Sequence, residues 1–77
     1  MKRMDAAGAE WVLEPNGLTA IAADGTRRFM AAPSGYTLSH FGDGATVVAR
    51  GEQLVNGWWD WIFTVEGDAL RRVGPAY

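Results

Sequence analysis

The chain has 77 residues, no cysteine, and a formal net charge of −2 from seven Lys and Arg against nine Asp and Glu. A chain of this length has room for one hydrophobic core and no second domain. Without cysteine it has no disulfide and no thiolate metal ligand, and without a basic excess it lacks the charge that gripping a phosphate backbone requires. The composition therefore excludes a disulfide-bonded scaffold and disfavours nucleic acid as the partner.

The first eight residues contain Lys2 and Arg3, as the start of a signal peptide would. Asp5 interrupts the segment and no apolar run of about 7–15 residues follows, so we do not interpret it as a signal peptide. No stretch approaches the roughly 18 apolar residues of a membrane span. We expect residues 1–8 to be a flexible N-terminal segment, residues 9–77 to form a single all-β domain, and the protein to be cytoplasmic.

Turn-forming residues recur about every 8–12 positions, a spacing that is typical of all-β proteins. They occur at Pro15-Asn16-Gly17, Asp24-Gly25, Pro33-Ser34-Gly35, Gly42-Asp43-Gly44, Asn56-Gly57 and Glu66-Gly67-Asp68. The segments between them predict strands at Glu10–Glu14, Leu18–Ala23, Thr26–Ala31, Tyr36–Phe41, Ala45–Arg50, Trp58–Glu66 and Ala69–Val73. No segment predicts a helix. The expected fold is a single small antiparallel meander of about six or seven short strands that form a barrel or a compact sandwich.

The first predicted hairpin turns at Pro15-Asn16-Gly17. Its loop is either a two-residue Asn-Gly turn or a three-residue type I turn with a glycine bulge. The choice matters because a shift of one residue moves every side chain of the strand to the other face. We favour the register that places Trp11 and Leu13 on the same face as Ala20 and Phe29.

The second predicted hairpin turns at Asp24-Gly25, where both residues tolerate positive φ, as a two-residue type I′ turn requires. That loop length places Ala20 opposite Phe29. The face that results is apolar, and we expect it to belong to the core. It carries Leu18, Ala20, Phe29 and Ala31.

Residues suited to catalysis are scarce. The single histidine, His40, follows Ser39, and Asp43 lies three positions further on. Neighbouring residues of a regular strand point to opposite faces, and no glycine-framed nucleophile turn precedes the serine. We expect His40 to hydrogen-bond to Asp43 or to solvent. The sequence predicts no catalytic residue, no metal site and no cofactor, and so not an enzyme.

Residues 51–57, GEQLVNG, join two predicted strands and are more apolar than a solvated loop needs to be. They form either a short extra strand or a lid that tucks Leu54 inward beneath Trp58. In either arrangement Leu54 lies near the tryptophan-rich strand that follows.

Three of the four tryptophans occur in NGWWDWIFTVEG, residues 56–67. Strand alternation places a wholly apolar set on one face, which we expect to be core: Trp59, Trp61, Phe63 and Val65. The opposite face is mixed, with Trp58 and Ile62 beside Asp60. A half-solvated tryptophan is typical of a protein-binding anchor, so we predict that four residues contact a partner: Trp58, Asp60, Ile62 and Leu54. The alternative for Trp58 is a second small cluster over the loop at residues 51–56.

Three functions compete. Small size, acidity and large aromatic residues favour a non-catalytic protein-binding module that acts as an inhibitor or adaptor, as bacterial or phage-encoded inhibitors of a larger enzyme or nucleic-acid-binding complex do. A homodimer is compatible with the same features. The second is a small β-barrel that binds single-stranded nucleic acid, with aromatic platforms for the bases and Arg28, Arg71 or Arg72 on the backbone. The third is a ligand-binding or enzymatic barrel whose aromatic cluster lines a pocket.

Overall fold

The computed structural model describes residues 1–76 and shows eight strands and no helix within them. The strands are β1 (Lys2–Met4), β2 (Glu10–Glu14), β3 (Gly17–Ile21), β4 (Arg27–Ala31), β5 (Tyr36–Phe41), β6 (Thr46–Val55), β7 (Trp58–Glu66) and β8 (Ala69–Pro75). Every pairing is antiparallel, so the predicted all-β antiparallel fold is confirmed. Within residues 1–76, no helix has the length and the apolar character of a membrane span.

The strands form two four-stranded sheets, and in each sheet every strand pairs with its neighbour in sequence. We call β1–β4 the N-terminal sheet and β5–β8 the C-terminal sheet. Residues 32–35 connect them in a tight turn, where the Tyr36 N–H donates to the Pro33 carbonyl at 3.0 Å. Beside this turn the Leu38 N–H donates to the Pro15 carbonyl at 3.0 Å, so the first hairpin loop also holds the start of the second sheet.

The inner faces of the two sheets bury one shared hydrophobic core. Its buried members are Leu13, Leu18, Ala20 and Met30 of the N-terminal sheet and Leu38, Val47, Ala49, Trp61 and Phe63 of the C-terminal sheet. No polar or charged residue among residues 1–76 is buried. Apolar burial and close packing therefore hold the two sheets together.

The strand β1 forms where the sequence assigned no strand. Arg3 lies opposite Trp11 in the pairing of β1 with β2, and the Leu13 N–H donates to the Met1 carbonyl at 2.8 Å. Three exposed residues carry too little alternation to predict a strand. The strand results from pairing with β2 rather than from a pattern of its own.

The second hairpin turns through three loop residues, so the predicted two-residue turn is wrong. The Ala22 N–H donates to the Thr26 carbonyl and the Gly25 N–H to the Ala22 carbonyl, both at 2.9 Å, and Gly25 has a φ of 89°. This is the three-residue loop in which a type I turn is followed by a left-handed glycine. Asp24 favours it, because its carboxylate accepts a 2.9 Å hydrogen bond from the Thr26 N–H.

The extra loop residue shifts the register by one position. Ala20 lies opposite Arg28, and Leu18 lies opposite Met30. Because side chains alternate along a strand, the shift brings Met30 into the core and turns Phe29 to the outer face. The ring of Phe29, which we expected in the core, is 54% exposed.

The first hairpin has the two-residue loop Pro15-Asn16, with Glu14 directly opposite Gly17, so both the Asn-Gly turn and the three-residue loop that the sequence suggested are wrong. Trp11 lies opposite Ala20 and Leu13 opposite Leu18, so the favoured grouping of Trp11 and Leu13 with Ala20 is confirmed. The expected presence of Phe29 on that face is wrong, because the register shift at the second hairpin turns Phe29 to the outer face.

Phe29 instead covers a glycine of the neighbouring strand. A Cβ atom added at Gly17 would lie 2.6 Å from a ring carbon of Phe29 and 2.8 Å from the Met30 carbonyl oxygen. A ring packed over a glycine shields the backbone and helps to set the register of the two strands. Phe29 therefore has a structural role although much of its ring is exposed.

Gly17→Ala should destabilise the protein by about 1–3 kcal/mol, because the added methyl group overlaps the Met30 carbonyl as well as the movable ring. Gly74→Ala is the control, since a Cβ atom there meets nothing within 4 Å. Urea denaturation of both variants measures the difference. Equal stabilities of the two variants would contradict the close packing of Phe29 on Gly17.

The strand β7 follows the predicted alternation over most of its length but not near its start. Trp61 is 6% exposed and Phe63 is buried, and Val65 packs against the core, as expected. Trp59, which we placed in the core, is 42% exposed. The strand therefore leaves the core before its N-terminal end is reached.

Trp61→Ala should lower the free energy of unfolding by about 3–5 kcal/mol, because it removes a large buried side chain from the core. The matched variant Trp59→Ala should cost about 1 kcal/mol or less, since Trp59 lies outside the core. Chemical denaturation of the two variants tests this. A loss for Trp59→Ala as large as that for Trp61→Ala would show that β7 is buried along its whole length.

Candidate functional site

The hairpin of β6 and β7 extends beyond the rest of the C-terminal sheet. β5 pairs with β6 only as far as Gly51, and β8 pairs with β7 only as far as Trp61. We call residues 53–59 the hairpin tip. Within it each strand has the other as its only strand partner, so the tip lacks the four-stranded support that the core region has.

A large bulge separates the hairpin tip from the regular part of the sheet. Arg50 pairs with Asp60 and Val55 pairs with Trp58, so four residues of β6 lie opposite Trp59 alone. Extra residues on one strand bend it and redirect its side chains. Residues 51–57 thus continue β6 into the turn.

The tip ends in a tight turn that the sequence predicts. Asn56 and Gly57 have φ values of 49° and 85°, and Val55 pairs with Trp58 across them. Positive φ at both central residues is the signature of a type I′ turn, whose twist matches that of the two strands. The turn therefore presents its flanking side chains at the end of the projection.

Three large apolar side chains are exposed at the hairpin tip. Leu54 is 54% exposed, Trp58 is 37% exposed and Trp59 is 42% exposed. We call Leu54, Trp58 and Trp59 the tip patch. Leu54 does not tuck inward, so the lid arrangement is wrong and the strand arrangement is right. Sequence alternation missed Trp59 as a surface residue, and its nearness to the Asn-Gly turn was the available signal.

Charged side chains border the tip patch. The Arg50 guanidinium lies over the Trp59 ring, 5.4 Å from its centroid, and pairs with the Asp60 carboxylate at 3.6 Å. An arginine that contacts both a ring and a carboxylate restricts both groups. Asp60 therefore lies at the edge of the patch with its charge partly balanced.

Ile62 lies further from the tip than the other three predicted contact residues. It is half-buried and directly opposite Val48, which is buried on the same outer face of the C-terminal sheet. The structure thus brings Leu54, Trp58 and Asp60 to the tip or its border. Ile62 belongs to a small apolar pair one step along the same strand.

The tryptophans do not form an aromatic cluster, contrary to expectation. The ring–ring contact between Tyr36 and Phe63, with centroids 4.9 Å apart and planes at 72°, involves no tryptophan. Trp11 binds Asp5, and Trp61 lies beneath the Arg72 guanidinium at 4.4 Å. Strand register and the bulge in β6 thus place the tryptophan side chains in different surroundings.

Most arginine side chains are engaged within the chain. Arg3 donates to the Gly42 carbonyl at 2.8 Å, Arg28 pairs with Asp68 at 3.5 Å, Arg71 pairs with Glu66, and Arg72 donates to the Tyr36 hydroxyl at 3.0 Å. With the Arg50–Asp60 pair, these contacts involve every arginine in the sequence except Arg27. Three arginines therefore have a carboxylate partner, whereas Arg3 and Arg72 donate to neutral oxygens.

Ser39 and His40 lie on the same side of β5, although we expected them on opposite faces. The register of β5 and β6 shifts between Leu38 and His40, and Ser39 is the extra residue. The bulge lets Ser39 Oγ approach His40 Nδ1 to 3.0 Å. Within residues 1–76 no contact joins His40 to Asp43, and no group of three or more His, Asp or Glu residues is placed to hold a metal ion.

Asp5 organises the loop between β1 and β2. One carboxylate oxygen accepts hydrogen bonds from the Ala7 and Ala9 N–H groups, both at 2.9 Å, and the other accepts one from Trp11 Nε1 at 2.9 Å. These donors, the indole first, hold the pKa of the Asp5 carboxyl below its ordinary value. Asp5 therefore ties β1 to the tryptophan of β2.

Comparison with protein-family models, with curated proteins and with solved structures finds no match for this chain. Its function has to be inferred from the geometry of its own residues.

Asp5→Asn should remove part of the dependence of stability on acid pH. Because the folded pKa of Asp5 is lowered, its contribution is complete above the ordinary value of about 3.9 and is lost as the pH falls through the lowered pKa. The melting temperatures of wild type and variant should therefore differ most above pH 5 or so and converge in stronger acid. Thermal melts across this range test it, and parallel curves would contradict it.

Proposed function

We propose that this chain is a small non-catalytic protein-binding module that acts by surface contact, as an inhibitor or an adaptor. The observation that carries the proposal is the tip patch, in which Leu54, Trp58 and Trp59 are exposed on a hairpin that extends past its sheet. A partner surface that covers the tip would bury apolar side chains that the chain itself leaves exposed.

Energetics support the tip as a contact site. Fully burying one large apolar side chain is worth about 1.5–3 kcal/mol, and tryptophan is enriched among residues that dominate binding energy. Single exposed apolar residues are ordinary, but three within six positions of one hairpin concentrate exposed apolar surface at its end. The patch is small enough to act as an anchor within a larger interface.

Preorganisation adds to this support. The contacts of Arg50 with the Trp59 ring and with Asp60 restrict these side chains before a partner arrives. Restricted side chains lose less conformational entropy on binding than free ones. Charges at the border of the patch act mainly on the rate of association and on the choice of partner.

The other two functions have less support. Binding of single-stranded nucleic acid needs free cations beside aromatic platforms, whereas Arg28, Arg71 and Arg72 each contact groups of the chain itself. A pocket lined by the aromatic residues of β7 has less support, because Trp61 and Phe63 are buried in the core whereas Trp58 and Trp59 are exposed. For catalysis, the exposed Ser39–His40 contact has no carboxylate to orient the histidine. The proposed location is the cytoplasm, a compartment where a protein without cysteine has no disulfide to lose.

Trp58→Ala and Leu54→Ala should each weaken partner binding by about 2 kcal/mol, or roughly 30-fold in Kd, while the fold is retained. Val73→Ala is the matched control, because Val73 is an exposed apolar residue of β8 away from the tip. The partner is the protein that wild type and Val73→Ala retain from a lysate of the source organism and that the tip variants lose. Calorimetry with the purified partner then measures the affinities.

Normal binding by both tip variants, with melting curves like that of wild type, would contradict the proposal. Sedimentation velocity separates the remaining case, in which the partner is a second copy of the chain. A dimer that Trp58→Ala dissociates would place the same patch in a homodimer interface.

A further inference from the structure

A half-open cavity of about 140 Å³ lies between the two sheets, on the side away from the hairpin tip. The N-terminal sheet and the loop after β1 contribute Arg3, Asp5, Trp11 and Leu18, and the C-terminal sheet and its first loop contribute Phe41, Gly44, Ala45, Thr46, Val47 and Val65. The cavity thus lies where the core between the two sheets opens to the surface.

The walls of the cavity are apolar. Leu18 and Val47 are buried core residues, and Trp11, Phe41 and Val65 pack against the core while remaining partly accessible. A ligand in this space would contact two aromatic rings and three aliphatic side chains. Such walls favour apolar ligands, because polar groups lose hydrogen bonds to water without gaining new ones.

The polar groups at the rim already have partners. The Asp5 carboxylate accepts three hydrogen bonds, including one from Trp11 Nε1. Arg3 donates to the Gly42 carbonyl at 2.8 Å and to the Gly44 carbonyl at 3.3 Å. Recognition of a charged ligand would have to disrupt these contacts, so the site selects for apolar character.

The size of the cavity suits a ligand of one ring. An engineered apolar cavity of about 150 Å³ stays dry and binds benzene. The cavity here is of the same size, and its two aromatic walls, Trp11 and Phe41, suit stacking or edge contacts with a flat ring.

We propose that this inter-sheet cavity is a binding site for a single compact apolar ring, with Arg3 as a strap across its opening. The strap runs from β1 to the loop between β5 and β6, and the Arg3 guanidinium lies over the Phe41 ring at 4.8 Å. None of Leu54, Trp58 and Trp59 lines the cavity. A result that contradicts one of the two proposed sites therefore does not contradict the other.

The indole N–H signals of the four tryptophans provide the test. In ¹H–¹⁵N spectra, benzene should shift the Trp11 indole signal in a saturable way, with a Kd on the order of 1 mM, as weak binding of six heavy atoms allows. The signals of Trp58, Trp59 and Trp61 should stay in place. 1,4-Dioxane, a six-membered ring with two polar oxygens, is the matched control and should leave all four signals unchanged. Trp11→Phe assigns the reporter signal.

Two variants that fill the cavity complete the test. Val65→Phe places a ring in the cavity from β7, and Ala45→Leu narrows it from the loop, where Ala45 is exposed. Each variant that retains the other indole signals should lose the response of Trp11 to benzene at least tenfold. No shift of Trp11 in wild type, an equal shift of all four indoles, an equal response to dioxane, or an undiminished response in a folded filled variant would overturn the proposal.

Discussion

Burial of two apolar sheet faces against each other is the constraint on which the rest of the structure depends. A single four-stranded sheet would leave one apolar face in water, and this chain has no disulfide to compensate for that cost. The two faces meet through residues such as Leu18 and Met30 on one side and Val47 and Phe63 on the other. Other features of the molecule follow from where this contact begins and ends.

The sheets differ in length, and this difference creates the exposed hairpin tip. The strands of the N-terminal sheet have at most five residues, whereas β6 has ten and β7 has nine. Beyond Gly51 and Trp61 the strands β6 and β7 also lack their sheet neighbours β5 and β8. Trp61 lies at the last pair of β7 with β8 and is buried, whereas Trp59 lies beyond that pair and is exposed. This exposed apolar surface is the physical basis of the proposed partner site.

Arginines join the edges of the two sheets around the core. Arg3 reaches from the N-terminal sheet to the carbonyls of Gly42 and Gly44, and Arg28 reaches from the same sheet to Asp68. Exposed contacts of this kind contribute about 0–1 kcal/mol each, so they orient the sheets more than they stabilise them. They also engage these two arginines in contacts within the chain.

The sequence alone determined the secondary structure class, most of the turns and the centre of the core. Residues that accept positive φ, such as Gly57, produce turns through their own conformational preferences, and the alternation around Trp61 and Phe63 needs only the period of a strand. The tertiary structure decided the register at Asp24-Gly25, the pairing of β1 and the exposure of Trp59. These outcomes depend on competition between distant groups: which side chain fills the core, which strand finds an edge, and how far the facing sheet extends. Local sequence patterns cannot decide these outcomes, because the contacts that decide them form only when the two sheets meet.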